Sequence, residues 1–225
     1  MITDEMAKPT SAPRRLVLWR HGRTEWNRLG KAQGHANISL DDIGVAQAER
    51  AAPFLASYRP CFVWTSDLAR ARETAERLVA LTGQELVLDK RLREFDVGAR
   101  QGLTFPEFEA AFPDEYAAWA DHRNEDIRLP GAETAPEVAE RMVQVLSEAM
   151  ETVEPGSTGV IVGHGASLRV GLVAFLGLPP ELWGVVYGMS NCAWAVLEDS
   201  TWGWRLLDYN AQTLPEPLDL PDDLG

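Results

Sequence analysis

The sequence has few cysteines, no long apolar run and no overall excess of positive charge, and each absence excludes a class of protein. Cys61 and Cys192 are the only cysteines among 225 residues, too few for a disulfide framework or a cysteine-based zinc site. No stretch approaches the about eighteen apolar residues of a transmembrane helix, and residues 1–13 lack the apolar region of a secretory signal. We therefore expect a cytoplasmic protein without a membrane partner.

Positive charge is scarce overall but is concentrated in one segment. The formal net charge is −13, which argues against nucleic acid as a general partner. Residues 14–31 nevertheless carry six arginine or lysine side chains and a single acid, Glu25. Arg14, Arg15 and Lys31 are expected to be solvated charges, whereas the rest of the segment is expected near a small cationic pocket in an acidic surface.

Apolar strand-like runs alternate with helical patterns between two polar ends. Residues 1–12 are predicted to be a flexible tail, residues 13–210 a single domain, and residues 211–225 a flexible acidic tail. Most predicted strands are continuously apolar, which is typical of a parallel sheet covered on both faces. The predicted fold class is α/β: a three-layer α/β/α sandwich with a mostly parallel central sheet and a C-terminal hairpin.

Local signals add three more detailed expectations. Ser66 stands where an N-cap would begin a helix, and Pro53 predicts a kink or an early end in the helix over 44–58. The helix over 105–122 is expected to break near Pro113.

Histidines and arginines follow three of the predicted strands. Arg20 and His21 follow strand 16–19, Arg70 follows strand 61–65, and His164 follows strand 159–162. Because ligands of parallel sheets bind outside the carboxyl ends of the strands, we expect these side chains to converge. No metal-ligand spacing is present, so neither a metal nor another cofactor is expected. His35 and His122 are interpreted as structural or surface residues.

Four segments, in order, resemble the histidine phosphatase superfamily, also called phosphoglycerate-mutase-like. The first contains Arg20-His21-Gly22, and the second is 66–75. The third is 92–98 with 101–104, and the fourth is 162–165 with Arg169. The resemblance implies metal-independent hydrolysis of small phosphate monoesters through a phosphohistidine.

The resemblance also implies roles for particular residues. His21 would be the nucleophile, and His164 would donate a hydrogen bond to an equatorial phosphate oxygen. A general acid must protonate the leaving oxygen; Glu94 matches that position, with Asp96 as a rival and Glu25 possible only if its loop covers the site. The phosphate-binding set would comprise Arg20, Arg70, Asn27, Thr24, Gln33 and His164.

Other functions stay open. A phosphoglycerate mutase-type phosphotransferase shares the first chemical step. Mutase-like relatives carry a longer insertion after the third segment, whereas only about thirty residues separate Gly102 from the segment 129–134 here. That segment itself resembles the phosphatase branch. A non-catalytic protein that binds phospho-ligands or a partner is the alternative of another class, and a tryptophan-rich C-terminal half is compatible with a homodimer. An actinobacterial subgroup of the phosphatase branch is resembled at Gln33-Gly34 and in the segments 66–68, 188–194 and 204–206. This resemblance implies a phosphoglycerate-type or sugar-phosphate substrate. Arg100 stands where relatives often have an aromatic residue. If Arg100 faces the pocket, a substrate with a carboxylate beside its phosphate is favoured.

Overall fold

A computed structural model describes residues 12–120, 129–201 and 203–213. Its sheet has six strands in the order β3-β2-β4-β1-β5-β6. β1 to β4 are parallel, β5 runs antiparallel to β1, and β6 pairs antiparallel with β5 as the C-terminal hairpin. This confirms the predicted mostly parallel sheet. The strands are β1 Arg15–Arg20, β2 Phe62–Thr65, β3 Leu86–Leu88, β4 Thr158–Gly163, β5 Trp194–Ser200 and β6 Gly203–Ala211.

Helices cover both faces of the sheet, because successive side chains of β1 point to opposite sides. Val17 and Trp19 pack in one apolar cluster with the helices α2 (Asp42–Ser57) and α3 (Ala69–Thr82). Leu16 and Leu18 pack in another with α6 (Ala135–Thr152) and α7 (Gly165–Phe175). This arrangement confirms the three-layer α/β/α prediction. The α-helices of the described residues are α1 Glu25–Arg28, α2 Asp42–Ser57, α3 Ala69–Thr82, α4 Phe105–Ala111, α5 Pro113–Ala120, α6 Ala135–Thr152 and α7 Gly165–Phe175. None of these helices has the length and apolar character that crossing a membrane requires.

The predicted break near Pro113 is found between α4 and α5. The predicted N-cap at Ser66 and the early end of α2 at Pro53 were wrong, and the alternative of a kink at Pro53 stays a prediction. Ser66 does not cap α3: its N-cap is Leu68, without a side-chain cap bond. The side chain of Asn37, which is distant in sequence, accepts from the Ala69 N–H at 2.7 Å instead. Pro53 does not end α2 early, because it lies on the exposed side, where water can replace the lost backbone hydrogen bond.

The ends of the chain are described in part. β6 extends to Ala211, which pairs with Trp194, so the ordered strand includes the first residue of the segment predicted as the acidic tail. Residues 1–11 and 214–225 of the two predicted tails lie outside the described residues, and so does His122. The boundaries of the single predicted domain stay a prediction.

Candidate active site

A cavity of about 300 Å³ opens at the carboxyl ends of β1, β2 and β4, where the parallel sheet is expected to bind ligands. Arg20, His21 and Arg70 line it, together with the first residues of α7. The rings of His21 and His164 lie 5.1 Å apart between centroids, although His164 itself is completely buried behind the cavity wall. The two histidines and two arginines that follow the strands thus lie together.

His21 owes its position to the glycine that follows it. A Cβ on Gly22 would stand 2.4 Å from the carbonyl oxygen of Gly44, at the start of α2. The Gly22 N–H donates to the Thr74 hydroxyl on α3 at 3.0 Å. Two helices therefore hold the turn after β1, and a side chain at position 22 would push them apart.

The contacts of His21 define which of its nitrogens is reactive. Nδ1 lies 2.7 Å from the Gly22 carbonyl oxygen, which can only accept, so Nδ1 carries the hydrogen and Nε2 keeps a lone pair. Burial lowers the pKa of His21 well below its usual value, and the charges of Arg70 and Arg20 lower it further. The imidazole is therefore neutral near pH 7, as a nitrogen nucleophile must be.

His164 has the opposite tautomer. The Arg70 Nε–H donates to His164 Nδ1 at 3.1 Å, which leaves the hydrogen of the neutral ring on Nε2. Burial, followed by the charge of Arg70, lowers the pKa of His164 well below its usual value. Nε2 is buried and has no hydrogen-bond partner among the described residues. An unpaired buried N–H is costly, and an anionic ligand oxygen would satisfy it.

Two arginines supply fixed positive charge. Arg70 is fully buried and donates to the backbone oxygens of Ala36 and Gly34 at 2.8 and 2.9 Å. Burial lowers its pKa to about 10, so it stays charged at neutral pH. Arg20 donates to the Met189 carbonyl and lies against the backbone of Gly165, where a Cβ would stand 3.1 Å from its Nε.

Glu94 is fixed at the start of α7, in the cavity lining. Its carboxylate accepts from the backbone N–H groups of Ser167 at 2.9 Å and Ala166 at 3.2 Å, and the helix N-terminus favours such a negative group. Its rival Asp96 also lines the cavity and accepts from the Gly98 N–H at 3.0 Å. Glu25, by contrast, is fully exposed, pairs with Arg28 and does not line the cavity.

The expected neutral donors divide into two groups. Asn27 and Gln33 line the cavity, and the Oε1 atom of Gln33 is buried without a partner among the described residues. Thr24 does not line the cavity; it is the N-cap of α1, where its backbone N–H and hydroxyl contact Asn27 Oδ1 at 3.1 and 3.0 Å. Thr24 therefore occupies the amide oxygen of Asn27, and the NH₂ group of Asn27 is left for a ligand.

The basic segment 14–31 contributes less to the cavity than its sequence suggested. Its arginines other than Arg20 pair with acids outside the cavity, in the pairs Arg14–Asp199, Arg15–Glu198, Arg23–Asp41 and Arg28–Glu25. Lys31, which was expected to be a solvated charge, lines the cavity and lies 5.9 Å from the centre of the Trp26 ring.

The sequence analysis did not identify two residues that hold the loop carrying Glu94 and Asp96. His35 Nε2 lies 2.9 Å from the backbone oxygen of Glu94, and Arg141 Nη2 donates to the same oxygen at 3.0 Å. Arg141 also binds the carboxylate of Glu133, which accepts from the Asp96 N–H. No local sequence signal indicates these contacts, since they join three distant parts of the chain, around residues 35, 94–96 and 133–141.

The strand-end cavity, with its neutral buried histidines and buried arginines, is that of an enzyme acting on a phosphoryl group. The model of the histidine phosphatase superfamily (branch 1) matches residues 16–212. The chain therefore belongs to the histidine phosphatase superfamily, and the resemblance of its four segments is confirmed.

Individual relatives of the chain include phosphatases and mutases. The glucosyl-3-phosphoglycerate phosphatase of Mycolicibacterium vanbaalenii is 38% identical over 196 residues, covering 84% of this chain and 85% of that protein. A 2,3-bisphosphoglycerate-dependent phosphoglycerate mutase of Azorhizobium caulinodans is 34% identical over 175 residues, covering 75% and 84%. The solved structure of a mycobacterial glucosyl-3-phosphoglycerate phosphatase with VO3 has a TM-score of 0.81 at 34% identity, covering 88% of this chain and 100% of that one.

Proposed function

We propose that the protein is a phosphatase that hydrolyses small phosphate monoesters through a phosphohistidine on His21. The observation that carries this proposal is the complementary pair of imidazoles in the cavity region. His21 has a lone pair on Nε2, and His164 has an unpaired buried N–H on Nε2. One ring is prepared to attack phosphorus, and the other is prepared to donate to a phosphoryl oxygen.

In the first step, His21 Nε2 attacks phosphorus in line with the ester bond. The new N–P bond forms as the P–O bond to the alcohol breaks. Glu94 takes up a proton when the anionic ester binds beside it, and it gives that proton to the leaving oxygen. Arg20, Arg70 and the His164 N–H stabilise the charge that spreads over the three equatorial oxygens. Asn27 and Gln33 are placed to orient the same oxygens.

In the second step, water hydrolyses the phosphohistidine. The Glu94 carboxylate, left by the first step, takes a proton from water as the oxygen attacks phosphorus and the N–P bond breaks. Inorganic phosphate leaves, and His21 returns to its neutral form with the lone pair on Nε2. Every group in this scheme comes from the chain, so we propose that activity needs no metal and survives EDTA.

The test is a panel of phosphate monoesters on wild type and on His21→Ala, with rapid acid-free quenching to trap phosphorylated protein. We expect the variant to lose at least about 1,000-fold in kcat/KM and to form no acid-labile phosphoprotein. Arg72→Met, on an exposed residue of α3, is the control for handling and folding. Full activity in His21→Ala would remove the proposal.

The mutase alternative has a specific observation in its favour, the mutase relative with 34% identity. A mutase returns the phosphoryl group to an acceptor, whereas a phosphatase releases it to water. The same panel therefore distinguishes them by product. Transfer to 2- or 3-phosphoglycerate in place of inorganic phosphate release would make the protein a mutase, and tight ligand binding without either product would make it a binding protein.

The substrate and the setting of the enzyme are also proposals. The name of the most identical relative described above supports a phosphoglycerate-type or sugar-phosphate ester as substrate. The low number of cysteines, two in 225 residues, supports a reducing cytoplasm. We further propose no nucleic-acid partner and a homodimer, which sedimentation at several protein concentrations tests directly.

A further inference from the structure

We propose that Arg141 is a positioning residue for the acid step, because it shapes the loop that carries Glu94. This inference rests on the proposed function and extends it to a side chain that does not touch the substrate. Arg141 stands on α6 and is not among the described residues that line the cavity. Its side chain is nonetheless only 17% exposed, because it packs against the loop over 91–96.

All five N–H donors of the Arg141 guanidinium have an acceptor in or beside this loop. Nη1 donates to the backbone oxygens of Arg91 and Arg93, both at 2.7 Å, and Nη2 donates to that of Glu94 at 3.0 Å. Nε and Nη2 donate to the two carboxylate oxygens of Glu133, both at 2.8 Å. Since the donors of a guanidinium lie in one rigid plane, they fix the path of the loop backbone.

Glu133 holds the loop on the other side of Glu94. Its carboxylate accepts from the Asp96 N–H at 2.8 Å, and its own N–H donates to the Asp96 oxygen at 2.8 Å. Burial opposes the ionisation of Glu133, but the hydrogen bonds from Arg141 and from the Asp96 N–H outweigh it and lower the pKa of the carboxyl group below its usual value. The ion pair therefore persists at neutral pH, and Glu94 lies between two anchored stretches of backbone.

The carboxylate of Glu94 is held separately from its backbone, by helix α7. Ala166 and Ser167 lie in the first turn of that helix, where N–H groups lack a partner within the helix. Both donate to Glu94, which also accepts from the Phe95 N–H at 2.9 Å. A shift of the loop backbone would therefore separate the carboxylate from these donors or tilt it in the cavity. Because a displacement of about 1 Å can cost about 100-fold in rate, the backbone anchor is part of the acid function.

Two other contacts of the loop do not fix its backbone in this way. Arg93 binds Asp67 with two nitrogens, at 2.7 and 2.6 Å, which ties down a side chain. His35 contacts the Glu94 oxygen with a single nitrogen at 2.9 Å. Arg141 combines that same oxygen with two others of the loop and with an ion pair. Its loss is therefore expected to move Glu94, whereas loss of an ordinary surface ion pair is not.

The ratio of kcat/KM for an alkyl phosphate to kcat/KM for p-nitrophenyl phosphate measures the acid step, because only the alkyl leaving group needs the proton. We expect Arg141→Met to lower this ratio about 10- to 100-fold. Arg141→Lys keeps the charge but not the planar fork, so it should lower the ratio less; this variant decides the question if Arg141→Met does not fold. A smaller folded fraction reduces both values equally and leaves the ratio unchanged.

Arg14→Met is the matched control. Arg14 binds Asp199 with Nε and Nη2 at 3.0 and 2.8 Å and the Met150 oxygen with Nη1 at 3.2 Å, and it lies outside the cavity lining of the described residues. It should keep the wild-type ratio. In a Glu94→Gln background, Arg141→Met should not lower the ratio further, because the acid that it positions is absent. An unchanged ratio in both Arg141 variants, or a full further loss in the Glu94→Gln background, would overturn the inference.

Amide hydrogen exchange reports the position of Glu94 without turnover. In Arg141→Lys, the N–H groups of Ala166 and Ser167 should exchange faster relative to the N–H of Leu168, which has a backbone partner at the start of α7. In the control variant this relative exchange should stay as in wild type. No change in Arg141→Lys would overturn the inference. If wild type hydrolyses neither ester, the proposed function fails, and the exchange measurement still decides whether Arg141 positions Glu94.

Discussion

Gly165→Ala should reduce catalysis without reducing stability, because the new methyl group meets a phosphate-binding side chain. The added Cβ would stand 3.1 Å from Nε, 3.3 Å from Cζ and 3.4 Å from Cδ of Arg20, so the guanidinium must move by a few tenths of an ångström. A displacement of about 1 Å can cost about 100-fold in rate, so we expect about a 3- to 10-fold loss in kcat/KM. Alanine favours the helix by up to about 1 kcal/mol, so the free energy of unfolding should stay level or rise.

Gly171→Ala on the same helix is the matched control. Its Cβ would stand 2.6 Å from the Cβ of Met142, in the packing between α6 and α7 and outside the cavity lining. Overpacking of this kind costs about 1–3 kcal/mol, so stability should fall while the folded protein keeps its kcat/KM. Urea unfolding and steady-state kinetics measure both quantities for each variant. Wild-type kinetics in Gly165→Ala, or a loss of activity in proportion to lost stability, would refute the assigned position of Arg20.

Two further predictions concern protons. Glu94→Gln should lose about 100- to 10,000-fold in kcat/KM on an alkyl phosphate but much less on p-nitrophenyl phosphate, whose leaving group needs no proton. Because kcat/KM reports the formation of the phosphohistidine, the role of Glu94 in the second step does not enter it, and equal losses in kcat/KM would show that Glu94 is not the acid. The pKa values of His21 and His164 are lowered in the folded state, so the unfolded chain binds more protons as pH falls below about 6.5. Stability from these histidines is complete above that pH and is lost below it, by up to about 1.4 kcal/mol per pH unit for each. Urea unfolding between pH 7.5 and 5.5 should show this slope, and His21→Asn should reduce it; a flat profile would contradict neutral burial.

The parts of the fold that the sequence predicts are those fixed by local patterns. The side chains of β1 are apolar on both faces of the sheet, so the sequence predicts both the strand and a layer of helices on each side of it. The cap of α3 could not be predicted from the sequence, because the tertiary fold brings the Asn37 side chain to the Ala69 N–H from which it accepts. Ser66 has the right chemistry for a cap but accepts instead from the Leu68 N–H at 3.3 Å, before the helix begins.

The candidate site shows the same division. The residues at the strand ends were predictable, since chain direction in a parallel sheet brings His21, Arg70 and His164 to one edge. That Lys31 lines the cavity and Thr24 does not could not be predicted from the sequence. It depends on side-chain orientation around the short helix α1 and on the packing of Lys31 against Trp26. Arg100 lies between these cases. The sequence left open whether it faces the pocket, and the structure places it in the cavity lining against the rings of Phe105 and Trp119, which come from two helices whose packing the sequence does not specify.

One side of the cavity, lined by Phe105 and Phe108 of α4 and by Trp119 of α5, is attached to the rest of the molecule in an unusual way. Among the described elements, α4 and α5 contact each other and make at most isolated contacts with any strand or other helix. The reacting groups, by contrast, stand on the ends of the sheet. Substitution or exchange of α4 and α5 should therefore be possible without loss of the phosphoryl chemistry. The protein is in this sense modular, because this part of the cavity lining can vary while the sheet that carries the reacting groups is kept.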